Sequence, residues 1–587
     1  MSIRYDDMKE AIGLNWYLVD PNLRFQIDRA VEAADRDWVE DKLRAMGALI
    51  GGPVARNAEI TDRRPAELVR WDREGDEINQ VVHPASALET KRLLWKSDFL
   101  HLRWSEEVAG RGRPVPAALL MAYPYLLSQA ETGMLCSIGM TTGVLRLIER
   151  YGDAETRELF CDRLRINDHD RGWDGSMYLT ERAGGSDLGA TETTARREDG
   201  RWRLDGSKWF CSNVDGQAIV TLARPEGSPA GIKGLALFAV PRVFPDGRPN
   251  GVHIRRIKEK LGTRAVPTGE IDLVGATGYL LTGGQEARDG RGINRMMEFV
   301  NESRLAVAAM GAGIMRRAFL EAAIRAEHRR AFGRALVDHG MVREQLLDLL
   351  VASEAAAAML FVAGGRLPRP GQGLGEGDPL TRIMVPITKM RCTRGGVESA
   401  SAALEIFGGN GYIENFPLAR QLRDAQCHTL WEGTENILAL DMLRACARDR
   451  AHTALFALLD GVAAGAEHPV LAETRASLVR ARGRLAENLA RLVSAGPEVA
   501  ALRARVAAND AADAVQAALL LDEARWELDD RGSARKAVVA AWFARTRLEP
   551  HGRWHPGNER IVLDLFDAVI RYQPIDPDRA AAAVRPS

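Results

Sequence analysis

The segment Arg196-Arg197-Glu198-Asp199-Gly200-Arg201-Trp202-Arg203-Leu204-Asp205-Gly206-Ser207-Lys208-Trp209-Phe210-Cys211 carries two Asp-Gly pairs between alternating apolar and polar residues. Asp-Gly supplies the positive φ angles of a two-residue hairpin, so Asp199-Gly200 is expected to fold Thr193–Arg197 onto Trp202–Leu204. Asp205-Gly206 then leads into Lys208–Cys211, and further β-type runs follow at Ala218–Leu222, Leu235–Val240 and Glu270–Val274. Several short strands between Tyr178 and Leu281 predict a compact antiparallel barrel or sandwich.

On both sides of this segment the apolar period becomes helical. Upstream, Ile27 to Arg44 has helical spacing, and Pro114-Val115-Pro116 breaks the chain before an apolar stretch from Ala117. Trp71 to Pro84, with Gly75, His83 and Pro84, reads as a long surface loop. His83 reads as structural, because no second ligand or base lies near it in sequence. Downstream, Met296–Glu327, Met341–Ala363, Pro386–Phe407 and Thr434–Arg450 predict four long helices, with Gly364–Pro379 as a flexible connection. The expected fold is α+β and multi-domain. It comprises an N-terminal helical domain (1–175), a central antiparallel β-barrel or sandwich (176–285), a four-helix bundle (286–450) and an extra helical extension (451–587). In the extension Leu471, Leu478 and Leu485 suit helices packing on one another, and Arg alternates with acids rather than forming a basic stripe.

Composition narrows the function classes. A chain of 587 residues exceeds one hydrophobic core, and a net charge of -1 gives no field for nucleic acid or anionic lipid. The N-terminus lacks the apolar core of a signal peptide, and no run of about 18 apolar residues predicts a membrane span. Six scattered cysteines without a Cys-x-x-Cys pair suit reduced thiols in a cytoplasm and predict no metal site.

Three motifs carry chemistry. Leu179-Thr180-Glu181-Arg182-Ala183-Gly184-Gly185-Ser186-Asp187 offers glycines, hydroxyls and backbone amides to a planar ligand. Glu405-Ile406-Phe407-Gly408-Gly409-Asn410-Gly411-Tyr412 ends a helix with three glycines in four residues, more than a C-cap needs. Leu430-Trp431-Glu432-Gly433-Thr434-Glu435-Asn436-Ile437 sets a carboxylate ahead of a helix whose N-cap is read as Thr434, with Glu435 in the first turn. Gly311-Ala312-Gly313 reads as close helix packing, and without a Gly-x-Gly-x-x-Gly between strand and helix a Rossmann site is disfavoured.

Together these motifs resemble the acyl-CoA dehydrogenase family over about residues 85–450. Thr180–Asp187 is similar to its T-E-x-x-x-G-S-D loop, Phe210-Cys211-Ser212 to its strand beside the flavin, and Leu261-Gly262-Thr263-Arg264 to L-G-x-R. Arg329 with Phe332-Gly333 resembles R-x-x-F-G, Gly408–Gly411 resembles G-G-N-G, and Glu432-Gly433-Thr434 resembles E-G-T. Asn15, Asp20-Pro21, His83-Pro84, Trp431 and the long tail resemble its AidB-like subgroup.

The resemblance implies FAD as cofactor and an acyl-CoA thioester as substrate. It implies that Glu432 is the catalytic base. It assigns Thr180, Ser186, Phe210 and Ser212 to the flavin of their own subunit. Arg329, Phe332, Gly408 and Gly409 are assigned to the FAD of a neighbouring subunit, which implies a homo-oligomer, a dimer or a tetramer. Thr434 and Asn436 join the cofactor side, while Ser186, Arg304 and Gly433 are expected at the substrate. Electron-transferring flavoprotein is the expected electron acceptor. Some family members carry the base one position before an arginine matching Arg304; here that residue is Ser303, and Glu302 is expected on another helix face. Arg182, Glu405 and Trp431 depart from the common pattern and bear on the substrate more than the cofactor. Alternative readings are a DNA-associated AidB-like flavoprotein, which needs a basic tail surface, and a flavin oxidase or monooxygenase on the same fold.

Overall fold

The computed structural model describes residues 2–283, 289–366 and 378–584. Its first part is helical: α1 (Pro21–Ala30), α2 (Ala33–Leu49), α3 (Ala55–Arg63), α4 (Ala85–Lys96), α5 (Glu106–Arg111), α6 (Ala117–Ser128), α7 (Thr132–Tyr151) and α8 (Ala154–Leu164). Caps explain several starts. The Asp20 carboxylate accepts from Leu23 N at 3.0 Å ahead of Pro21, and Glu131 accepts from Gly133 N at 2.9 Å. Val31 and Glu32 lie outside α1 and α2 and divide the helical run Ile27–Arg44.

The expected loop at Trp71–Pro84 is corrected. β1 (Glu67–Trp71) and β2 (Glu77–Val82) form an antiparallel hairpin, with Gly75 at φ 91° in the turn. Its outer face stays wet, so Ile78 and Val82 are exposed and the apolar alternation is weak. His83 stays structural but has a partner: its Nε2 lies 2.7 Å from Asp215 Oδ2, 132 residues along the chain.

The central domain is a closed sheet of β3 (Gly175–Tyr178), β4 (Thr194–Glu198), β5 (Arg201–Ser212), β6 (Ala218–Pro225), β7 (Ala236–Pro241), β8 (Val252–Ile257) and β9 (Thr268–Leu280). The order β6-β4-β5-β9-β7 returns to β6, and closure removes the edges of those strands. Asp199-Gly200 makes the expected β4–β5 hairpin, with φ 50° and 76°. Asp205-Gly206 does not turn the chain: it is a bulge inside β5, where the register with β9 shifts. β3 and β6 pair in parallel, so the barrel is not wholly antiparallel.

The second helical part packs α9 (Gly292–His328), α10 (Gly340–Gly365), α11 (Pro379–Phe407), α12 (Pro417–His428) and α13 (Glu435–Asp449). The four long helices stand where periodicity put them, and α12 adds a short fifth. α11 begins seven residues before Pro386 and runs through it. Most of the expected flexible connection Gly364–Pro379 lies outside the described residues. Gly311 supports the close-packing reading, since a Cβ there would overlap the Cys392 carbonyl oxygen of α11. Although Glu354 interrupts its apolar run, α10 is long and apolar enough on average to cross a membrane, with mean hydropathy 2.0, and 83% of that stretch is buried inside the protein.

The extension folds as α14 (Ala451–Gly465), α15 (Ala472–Ser494), α16 (Pro497–Arg531) and α17 (Arg535–Leu548), ending in short helices. Leu471, Leu478 and Leu485 are buried. α16 and α17 close over α10 through buried ion pairs, Glu354 with Arg535 at 2.6 Å and with Lys536 at 2.7 Å.

Candidate active site

The predicted base stands on the loop between α12 and α13. Glu432 has φ 55° and Gly433 φ 99°, a left-handed pair that lifts the loop off the helix end. A non-glycine residue held there costs about 1 kcal/mol or more, so surrounding contacts must fix it. They do. Arg304 Nε donates to the Glu432 carbonyl at 3.3 Å, and Lys389 Nζ donates to the Gly433 carbonyl at 2.7 Å. The Ser303 hydroxyl donates to the Val300 carbonyl at 3.1 Å and lies close enough to the Glu432 carboxylate to favour its ionised form. Burial pushes the Glu432 carboxyl up, opposed by the Ser303 bond and by the Arg304 and Lys389 charges. Thr434 is the N-cap residue of α13, although its side chain makes no capping bond. Glu435 pairs with Arg394 at 2.5 Å and Arg505 at 3.0 Å, which confirms it as a structural residue. Glu302 turns away to pair with Arg146.

Arg304 does not point at open space. Its guanidinium is buried, pairs with Asp441 at 2.8 Å and holds the Glu432 carbonyl, so its observed role is to build the loop. Trp431 stacks on His428, with ring centroids 5.6 Å apart and 16° between planes. Burial drives the His428 imidazole down to about 3, which keeps it neutral.

Across the cleft stands the barrel wall. Trp209 N donates to the Thr180 carbonyl at 2.9 Å, joining the Thr180–Asp187 loop to β5. Glu181 anchors that loop from inside the barrel through Lys208 at 2.6 Å and the amide of Glu192 at 2.6 Å. Ser186 is exposed on the loop, and Phe210 is 56% exposed with the Lys258 ammonium 4.9 Å from its ring centre. The Ser212 hydroxyl lies 3.0 Å from Thr268 Oγ1. Lys260 ties that wall to the bundle: its ammonium donates to Thr268 Oγ1 at 3.1 Å and to the Thr263 and Val266 carbonyls, each at 2.7 Å. Thr263 N in turn donates to Asp424 Oδ1 at 2.6 Å on α12, which leads into the Glu432 loop. Thus a run of hydrogen bonds links Ser212 of the barrel to Asp424 of α12.

Beside Thr268 opens a cavity of about 740 Å³, walled by the β1 hairpin and the 255–268 segment. Arg70, Arg255, Arg256, Lys258, Lys260 and Arg264 line it together with Glu67 and Glu259, and although Arg70, Arg255, Arg256 and Lys258 also pair with Glu77, Asp272 and Glu270, the excess of cations suits the pyrophosphate of a dinucleotide. With the exposed ring of Phe210 on the same barrel wall, the residues present fit a flavin dinucleotide.

The remaining predicted positions lie apart. α9 ends at His328, and Arg330–Ala331 pairs with Arg334–Ala335 around a turn formed by Phe332 (φ 49°) and Gly333 (φ 80°). Phe332 is 97% exposed. Gly408 (φ 61°) and Gly409 are exposed at the end of α11, beside Tyr412 at 88% exposure. Arg329, Phe332, Gly408 and Gly409 thus face outward, and Thr434 and Asn436 are exposed on the start of α13. Sequence reasoning missed the closeness of Ser303 to the Glu432 carboxylate, together with Lys389, His428 and the basic cavity. Lys389 had a signal: a lysine set among Met384, Val385, Ile387, Met390 and Cys392, all buried residues of α11.

Comparison with known proteins agrees with this architecture. Residues 8–171 match the N-terminal domain of adaptive response protein AidB, 176–275 the acyl-CoA dehydrogenase middle domain, and 290–447 the acyl-CoA dehydrogenase C-terminal domain. The chain therefore belongs to the acyl-CoA dehydrogenase family, with an AidB-type N-terminal domain. It is 32% identical to the AidB protein of Escherichia coli K12 over 73% of this chain and 78% of that one. It is 29% identical to acyl-CoA dehydrogenase family member 11 of Caenorhabditis elegans, over 73% and 70% of the two chains. The crystal structure of Caenorhabditis elegans ACDH-11 in complex with C11-CoA superposes with a TM-score of 0.84 at 25% identity, covering 95% of this chain and 96% of that one. A Bacillus anthracis acyl-CoA dehydrogenase complexed with FAD shares the fold at 16% identity, TM-score 0.73, over 98% of each chain.

Proposed function

We propose that the chain is an FAD-dependent acyl-CoA dehydrogenase that introduces an α,β double bond into an acyl-CoA thioester. The observation that carries the reading is Glu432, on a left-handed loop whose carbonyls are held by Arg304 and Lys389, following a helix tied to the barrel domain through Asp424 and Thr263. The thioester acidifies the α-carbon, and Glu432 takes that proton on its carboxylate. Burial makes this carboxylate a stronger base than a surface glutamate, while Arg304 and Lys389 keep the ionised form accessible. FAD, when bound, accepts the hydride from the β-carbon. Phe210, Ser212 and Thr180 would hold its ring system from the barrel, and Arg256, Lys258 and Arg264 its pyrophosphate. Ser186 would meet the thioester side of the cleft together with Gly433.

The same family reading makes the active protein a homo-oligomer, dimer or tetramer, in which Arg329, Phe332, Gly408 and Gly409 meet a neighbour's FAD. The almost complete exposure of Phe332 supports it. Electron-transferring flavoprotein as acceptor and a cytoplasmic location belong to the same proposal. DNA association finds no support in the tail. Many of its arginines are paired with acids, as in Arg482 with Asp460 at 2.8 Å, Arg480 with Glu549 at 2.6 Å and Arg545 with Glu473 at 2.8 Å.

The test is anaerobic titration of FAD-loaded protein with straight and branched acyl-CoA thioesters while flavin absorbance is followed. Bleaching by at least one thioester, slowed by about a thousandfold or more in Glu432→Gln, is the expected outcome. No bleaching by any thioester overturns the dehydrogenase reading, and a wild-type rate in Glu432→Gln overturns the base.

A further inference from the structure

Lys389 is fully buried on α11 and donates its hydrogen bond at 2.7 Å to a backbone carbonyl, that of Gly433. Among the described residues no carboxylate oxygen stands within ion-pair distance of its ammonium. Burial pushes the Lys389 ammonium down to about 7, opposed by the nearby Glu432 charge, so it carries its proton on the acid side of neutrality, where the base must ionise.

The neighbourhood identifies the target. Facing Lys389 are Glu432 from the loop, Glu435 from α13, Arg304 from α9, and Cys427 with His428 from α12. Glu435 is satisfied by Arg394 and Arg505. Arg304 is satisfied by Asp441, which also holds Arg382 at 2.6 Å. His428 is neutral, and Cys427 is driven up by burial and stays a thiol. Among the described residues Glu432, unlike Glu435, has no ion pair, and Ser303, Arg304, Lys389 and Cys136 are the polar and titratable groups facing it.

We infer that Lys389 is a positioning residue for the Glu432 base: it pins the Gly433 carbonyl of the left-handed turn and supplies the uncompensated positive charge that lets the adjacent carboxylate ionise inside the cleft. The inference rests on the reading of Glu432 as a base and names the residue that makes burial compatible with basicity. The field of a buried cation acts through a low dielectric, so its removal raises the proton affinity of a nearby carboxylate.

Two substitutions separate the two roles. Lys389→Met removes both the donor and the charge, whereas Lys389→Gln keeps an N–H donor for Gly433 and removes the charge alone. The first readout is the protonated-carboxyl stretch in infrared difference spectra of each protein against its Glu432→Gln counterpart, recorded from acid to neutral pH. The second is the pH profile of flavin reduction by the best acyl-CoA in the FAD-loaded protein. The midpoint should rise by about one pH unit or more in both variants, a tenfold loss of ionised base below it. The acid limb of the reduction rate should move with it, while KM stays within about twofold in Lys389→Gln. An unchanged midpoint in both variants overturns the inference, as does a shift in Lys389→Met that Lys389→Gln fails to reproduce. If the infrared midpoint moves but no thioester reduces the flavin of the unsubstituted protein, the dehydrogenase reading fails while the electrostatic role of Lys389 stands.

Discussion

At the scale of single residues, burial sets the proton affinities that matter near the cleft. Glu131 starts α7 with its carboxylate on Gly133 N, and burial raises it to about 8, with Arg420 lowering and Asp424 raising it. A carboxyl with a folded-state value above its unfolded one binds its proton more tightly in the fold. Its contribution is therefore fully present below the unfolded value and is lost as pH rises through 8. Glu131→Gln keeps the capping oxygen without the ionisation. The difference in melting temperature, variant minus wild type, should become more positive between pH 5 and pH 9, with a free-energy change of about 2 kcal/mol. Thermal unfolding across that range checks it; a pH-independent difference would show that Glu131 does not titrate as its burial requires.

At the scale of elements, the turn after α9 trades stability for exposure. Phe332 occupies a left-handed conformation that favours glycine, at the tip of a two-residue hairpin and with its ring in solvent. Strain of this kind, returned inside the chain by an edge-on contact with the His339 ring at 6.1 Å, suits a position kept for something outside it. Phe332→Gly should stabilise the isolated subunit by about 1 kcal/mol in denaturant titration, since glycine adopts this φ freely. The same substitution should lower the flavin retained per subunit after gel filtration and shift the elution toward smaller species. Stability and cofactor content moving in the same direction would refute the proposed contact with a neighbouring subunit's FAD.

On the scale of the whole molecule, the tail is part of the core rather than an appendage. α16 and α17 bury Glu354 of α10 against Arg535 and Lys536, and Lys536 also meets Glu523 at 2.6 Å. Those cations hold the Glu354 carboxyl down at about 2. Its folded-state value lies below the unfolded one, so its stabilisation is present above the unfolded value and is lost as pH falls toward 2. Glu354→Gln leaves two buried cations short of a partner and should cost about 3 kcal/mol near neutral pH. The deficit should shrink steadily as the pH is lowered from 5 toward 3. Denaturant midpoints at those pH values test this, and a deficit constant with pH would mean that packing, not charge, carries the loss.

The order of helices, barrel, bundle and helical extension was legible in the sequence because apolar period changes with element type and Asp-Gly fixes a hairpin. Helix pitch and strand alternation are local properties, so α9, α10, α11 and α13 and the β4–β5 turn could be read from neighbours alone. Glu432, Phe210 and Ser212 were legible through their motifs. Context decided what local pattern leaves open. The second Asp-Gly became a bulge because β5 continues along β9, a partner some 70 residues away. The Trp71–Pro84 segment became a hairpin because Glu77 meets His253 of β8 at 2.7 Å and His83 meets Asp215. Above all, Ser303, Arg304 and Lys389 gather around one glutamate from two helices, at separations of 129, 128 and 43 residues from it (432 − 303, 432 − 304, 432 − 389). No periodicity reports such a meeting. The sequence by itself determined which elements form and which carboxylate stands ahead of a helix. Only the tertiary structure decided which charges surround that carboxylate, because electrostatic environment depends on distance in space and not on separation along the chain.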